Sequence, residues 1–288
     1  MRRAAFTLLE LIFVIVIMGI LARFGIELLS QAYKSFIFSS VNNALQSQSA
    51  AAVETIAARL QYRIKDSVIA READDDFFGL AGYTADNAPI LEWVGMDADG
   101  LRGDSAQTTP LWSGIIDLQA STAAALSLPQ TDTGKIGTLI NTLSNGGSSY
   151  NDVAFYFIGS DSDVQNGYGW TIGGGGISDQ NHTMHPVTDP AGNNIFNFSN
   201  IDVYEYYQLA WTAYAVVHNS ADDTLWLHYD YQPWKGENYN NANTKKVKIM
   251  DNVDTFQFIA AGSIVKIQVC VNSDLMEDYS LCKEKTVF

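Results

Sequence analysis

Seventeen consecutive residues, Phe6 to Ala22, carry no basic side chain and a single acid, Glu10, and the run is closed by Arg23. As a helix it is about 25 Å long, at the short limit for crossing a hydrocarbon core of roughly 30 Å. Arg23 can snorkel to the far interface, and Arg2 and Arg3 before the run put the N-terminus on the cytoplasmic side by the positive-inside rule. The stretch therefore reads as a single span. A cleaved secretory signal is the competing reading, but Arg23-Phe24-Gly25-Ile26-Glu27 offers no small-residue cleavage site and the helical pattern simply continues. Glu10 is the costly residue. A carboxylate inside a span costs about 2.5–3.5 kcal/mol on insertion scales, so it calls for a partner, unless it only complements the positive end of the helix dipole.

The composition narrows the rest. The 288 residues carry 17 Lys and Arg against 32 Asp and Glu, a formal charge of −15. Nucleic acid is excluded as the main partner, because phosphate binding needs clustered cations. With 47% hydrophobic residues and six Pro the chain is a folded one, large enough for a core without a metal.

Ala5-Phe6-Thr7-Leu8-Leu9-Glu10, with the short basic leader before it and the apolar helix behind it, resembles the signal of type IV prepilins and type II secretion pseudopilins. The resemblance implies a five-residue leader, 1–5, cut by a prepilin peptidase between Ala5 and Phe6, followed by N-methylation of Phe6. Family members usually have Gly before the cut, where this chain has Ala5. It also implies that Glu10 faces the Phe6 amine of a neighbouring subunit in a filament. Ile56 to Ser67 resembles, less closely, the helix end of the larger minor pseudopilins.

No Pro precedes Pro89, and apolar residues recur at Leu29, Tyr33, Phe36, Val41 and Leu45, then at Val53, Ile56, Leu60, Ile64 and Val68. This spacing predicts one helix from Phe6 to about Ala70, with a membrane segment at 6–23 and a continuation at 24–71 that lies against a head. Strand-like runs follow at 152–158, 206–217, 224–231 and 246–250, and Val265 to Val271 alternates apolar with polar, with Phe256-Gln257-Phe258 as its hairpin partner. The expected class is α+β: a long N-terminal helix, its first third transmembrane, packed on an antiparallel sheet in a pilin-like head, 72–288. Residues 72–150 and 159–203 read as long loop insertions, rich in Gly, Asp, Asn, Ser and Thr. In a family exported across the inner membrane, Cys270 and Cys282, the only cysteines, are expected to pair, stabilising by roughly 3 kcal/mol.

Chemistry is sparse. His182 and His185 stand three apart before Pro186, which argues against a helix presenting both to a metal. Asp161 to Gly167 begins like a calcium loop, of the kind some pseudopilins use, but places Gly seventh and lacks the closing Glu; Asp97-Ala98-Asp99-Gly100 is weaker. No metal or cofactor is assigned. Gly173 to Gly176 lacks the Lys and Ser or Thr of a phosphate loop and reads as a flexible turn. No nucleophile motif marks an enzyme. Of the six Trp, Trp226 is the best candidate for a surface contact, since it alternates with Leu225 and Leu227. The expectation is a minor pilin or pseudopilin of the bacterial inner membrane, single-pass, with a cytoplasmic N-terminus and a periplasmic head. Its partners would be other pilins, the prepilin peptidase and the inner-membrane assembly platform. So heavy a head suits a place near the filament tip, and the alternative is a tip adhesin or ligand-binding minor pilin.

Overall fold

A computed structural model of the chain describes residues 7–103, 109–122, 126–160, 162–177, 183–187, 195–196, 202–273 and 279–288. Helix α1 runs from Leu8 to Leu60, about 80 Å. It stops ten residues short of the expected end. Arg63 folds back so that its guanidinium donates to the Leu60 carbonyl (2.7 Å) and to that of Ser263, which closes the helix with a cation on its last turn. Ile64 and Val68 keep the four-residue spacing without being helical. They flank a 3-10 turn, Lys65–Ser67, and Ile64 donates its N–H to Val94.

The strands are β1 (Ile69–Arg71), β2 (Phe77–Gly79), β3 (Ile90–Met96), β4 (Leu126–Ser127), β5 (Ala154–Phe157), β6 (Met184–Pro186), β7 (Ile195–Phe196), β8 (Tyr207–Asn219), β9 (Thr224–Tyr229), β10 (Lys245–Met250), β11 (Val253–Ala261), β12 (Ile264–Asn272) and β13 (Ser280–Val287). Two further helices are α2 (Ala98–Arg102) and α3 (Thr133–Leu143). The large antiparallel sheet has the order β10-β9-β8-β3-β1-β2. β8 is long enough that β9 pairs its second half and β5 its first, and β6 extends β5. A second sheet, β11-β12-β13, stands apart from it. The fold is thus α+β, a long apolar helix packed on antiparallel sheet.

From Val41 onward α1 is amphipathic. Val41, Leu45, Ala52, Val53, Ile56 and Leu60 share one core with Leu91, Trp93, Val216, Leu225 and Leu227 of the large sheet and with Val265, Ile267, Val269 and Val271 of the small one. Burying such a face is what holds the helix to the head.

The 72–150 stretch is not a loop insertion. It supplies β3, a central strand, and a second core in which Ile136 and Ile140 of α3, with Leu111, Trp112 and Leu126, cover Phe155, Phe157, Tyr207 and Leu209. Within 159–203, Tyr168, Trp170 and Met184 are likewise core residues, and His185, expected in a solvated loop, is buried on β6 with its ring 5.0 Å from that of Phe157. His182 and Asp161 lie outside the described residues. The Gly173–Gly176 turn packs on Trp234 to Gly236, where a Cβ on Gly176 would meet backbone at 2.6 Å.

Glu92 interrupts the apolar run of β3, and its burial is compensated. Arg71 of β1 bonds its carboxylate, both side chains being about 1% exposed, and the Tyr231 hydroxyl donates to it at 2.9 Å. Two further guanidinium nitrogens donate to the carbonyls of Asp75 and Trp170, each at 2.9 Å, so one cation ties two loops to the sheet. Breaking such a pair strands a buried charge. Arg71→Met should lower unfolding free energy by about 3–5 kcal/mol in denaturant titration, and adding Glu92→Leu should recover much of that loss. A second buried acid, Asp97, is pushed up to about 6 by burial, against hydrogen bonds that favour its charge. The folded state therefore holds that proton more tightly than the unfolded one, and stability from this group rises as pH falls from about 6 toward 4. Asp97→Asn, which keeps the cap on α2, should flatten this part of the pH dependence by up to about 3 kcal/mol relative to the parent chain.

Candidate functional site

The site begins where the head stops covering α1. Every large apolar side chain from Leu8 to Phe36 is exposed, and the first fully buried helix residue is Val41. Roughly 50 Å of helix therefore projects bare. Its first part is long and apolar enough to cross a membrane. Gly19 and Gly25 have nothing within 4 Å of a hypothetical Cβ, so neither is required by packing in the single chain.

Glu10 sits in the first turn. Thr7 is the N-cap, its hydroxyl accepting the Glu10 N–H at 3.4 Å while its own N–H and O–H both donate to Glu10 Oε2 at 3.1 Å. This is a reciprocal capping box. Among the described residues Glu10 Oε1 has no partner, and the nearest described cation along the chain, Arg23, is about 20 Å farther up the helix. Ala5 and Phe6, the expected cut site and methylated residue, lie outside the described residues.

The exit of the bare helix from the head is clasped by the C-terminal strands. Tyr279 donates its hydroxyl to Asn42 at 2.9 Å and sets its ring edge-on to Phe38 at 5.3 Å. Lys285 of β13 reaches Glu54 at 2.7 Å. Cys270 and Cys282 are joined, as expected, and face each other directly across β12 and β13 at the base of this clasp. Cys270 is on the outer face with Lys266 and Gln268, yet it is covered.

Trp93, Trp112, Trp170, Trp211 and Trp234 are buried, and Trp226, expected at the surface, is half covered: Lys246 lies over its ring at 5.5 Å and its indole donates to Thr224 at 2.8 Å. Asp163, the described acid of the calcium-like stretch, accepts the N–H groups of Gln165 and Asn166 and caps a turn. Asp97 accepts the Gly100 N–H and caps α2. Among the described residues no group of three or more His, Cys, Asp or Glu is placed to hold a metal ion. The clasp was not legible in advance, because Tyr279 and β13 lie in a polar segment whose only signal was Cys282.

Compared with known proteins, the chain matches no family model, no curated protein and no solved structure.

The capping box makes a prediction separate from any assembly. Glu10→Ala should fray the first turn by about 1 kcal/mol, seen as faster amide exchange at Leu8 to Leu11 of the full chain in micelles, with the head unchanged.

Proposed function

We propose that this chain is a minor pilin or pseudopilin, a structural subunit whose bare helix packs with those of other subunits into a filament drawn from the bacterial inner membrane. The observation that carries the reading is the contrast along one helix: from Val41 to Leu60 its apolar face is buried in the chain's own head, while every large apolar side chain from Leu8 to Phe36 is exposed. Lipid covers such a surface before assembly, and parallel helices of like character cover it afterwards. The span is short and single, its N-terminus cytoplasmic and its head periplasmic, where the Cys270–Cys282 disulfide is stable. The type II secretion pseudopilus and the type IV pilus both use subunits of this plan. A head this heavy is best accommodated near the tip.

In this reading a prepilin peptidase cuts between Ala5 and Phe6, and Phe6 is N-methylated. Glu10 then has two partners: Thr7 of its own chain on Oε2, and on Oε1 the Phe6 amine of the adjacent subunit. In a medium of low dielectric an unpaired carboxylate is strongly disfavoured, so the second partner selects the assembled state.

Intact mass of the membrane form should show loss of Met1 to Ala5 and gain of one methyl; a mature chain still beginning at Met1 overturns the reading. Glu10→Ala should insert as well as the parent and be cut normally, yet co-isolate poorly with the other subunits. Equal incorporation returns Glu10 to the role of a helix cap alone.

A further inference from the structure

At the opposite end of α1 from the bare segment, a cleft of about 290 Å³ opens between the last turn of the helix and α2. Its walls are Arg59 and Tyr62 on one side and Asp97 and Arg102 on the other, with Trp211 and Tyr214 of β8 between them. The sheet is irregular beneath it. The pairing of β3 with β8 shifts register between Gly95 and Met96, a bulge of the sort that opens a sheet beside a site. Gly95 has a steric reason to be glycine: an added Cβ would lie 2.6 Å from the Tyr214 ring. The ring therefore lies flat on the strand, held from its other side by Trp93 in a stacked contact of 5.7 Å. Tyr214 is half-buried and lines the cleft, and Tyr62, 39% exposed, stands at the rim.

The polar groups balance in charge. Asp97 is buried and fixed by the Gly100 N–H at 3.1 Å and the Trp112 indole at 3.2 Å. Arg102 pairs with Asp99 at 3.0 Å, both exposed at the mouth. Arg59 donates only to the Thr55 carbonyl, at 3.3 Å, and among the described residues makes no ion pair. Two guanidinium groups and two carboxylates leave the lining without net charge. An anion would meet Asp97 and Asp99, and a cation would meet Arg59 and Arg102. A neutral molecule rich in hydroxyls finds donors and acceptors on both walls and aromatic faces for its C–H side.

We propose that this cleft binds one neutral sugar ring, as a terminal residue of a glycan, with Tyr62 against the ring and Arg59 and Asp99 bonding its hydroxyls. The volume fits one ring and not an oligosaccharide. The cleft lies at the end of the helix farthest from the apolar segment. It is formed by the last turn of α1 together with the head and does not depend on the proposed assembly.

The test uses the full chain in detergent micelles, with methyl α-D-mannoside, methyl β-D-galactoside and methyl β-D-glucoside as neutral probes and sodium glucuronate as the charged one, each followed by saturation-transfer NMR. At least one neutral glycoside should bind with a millimolar Kd. Arg59→Ala and Tyr62→Ala, both at exposed positions, should each weaken it by about tenfold or more, while Tyr206→Ala, an exposed aromatic on another face, should leave it unchanged. Thermal unfolding of each variant checks that the head is intact. No transfer from any neutral glycoside, transfer that persists undiminished in both cleft variants, or binding of glucuronate alone each overturns the proposal. None of these outcomes bears on the Phe6 and Glu10 chemistry, which is read by mass and co-isolation.

Discussion

The structure turns on a mismatch of lengths: a helix of about 80 Å is attached to a head that covers only its last third. Burial stabilises by roughly 25 cal/mol per Å² of apolar surface, so the core from Val41 to Leu60 is ample to fix that third in place. The same relation makes the bare part, Leu8 to Phe36, a demand that the chain cannot meet by itself. Everything near residue 40 is arranged around this change of regime. Tyr279 grips the helix at Phe38 and Asn42, and the disulfide secures the strand pair from which Tyr279 projects. Arg63 pins the far end of the helix to the turn between β11 and β12.

Inside the head the equivalent anchor is Arg71. A buried ion pair is a doubtful source of stability by itself, because desolvation offsets most of the Coulomb attraction. Its value here is positional. By bonding Glu92 and the carbonyls of Asp75 and Trp170, the guanidinium fixes how the long connections leave the sheet. The packing of Tyr168, Trp170 and Trp234 beneath those connections shows why they do not behave as independent loops.

What the sequence made legible is what has a simple period. The apolar run, the helix through Leu60, and strands β5 and β8 to β12 follow from spacing and alternation. β3 was hidden because a central strand is buried on both faces and so shows no alternation, and because Glu92 breaks its apolar run until Arg71 is seen beside it. The helix end was misplaced for a related reason: Ile64 and Val68 bury their side chains from a turn and a strand at the same spacing a helix would use. Trp226 is the one Trp left partly exposed, and what alternation does not reveal is that a lysine on the neighbouring strand lies over its ring. The sugar-sized cleft joins residues 58–62, 95–102 and 211–214, and no local pattern connects them.

Glu10 shows how a bland reading and a sharp one can hold at once. As the third residue of a capping box it satisfies two donors at the helix start, a role that any Glu at this spacing after Thr can fill in water. In water that role would also be ample, since the second oxygen is solvated. The residues that follow, Leu11 to Leu21, are apolar and exposed in the single chain, and in the proposed reading lipid covers them and no solvent serves Oε1. In that reading a cap that uses one oxygen of a carboxylate at the edge of hydrocarbon is incomplete, and its cost falls when the Phe6 amine of a neighbour reaches the other oxygen. Because the described helix places no cation between Thr7 and Arg23, the proposed assembly would remove this deficiency through a neighbour, and the capped carboxylate would then be a selective contact and not merely a tolerated one.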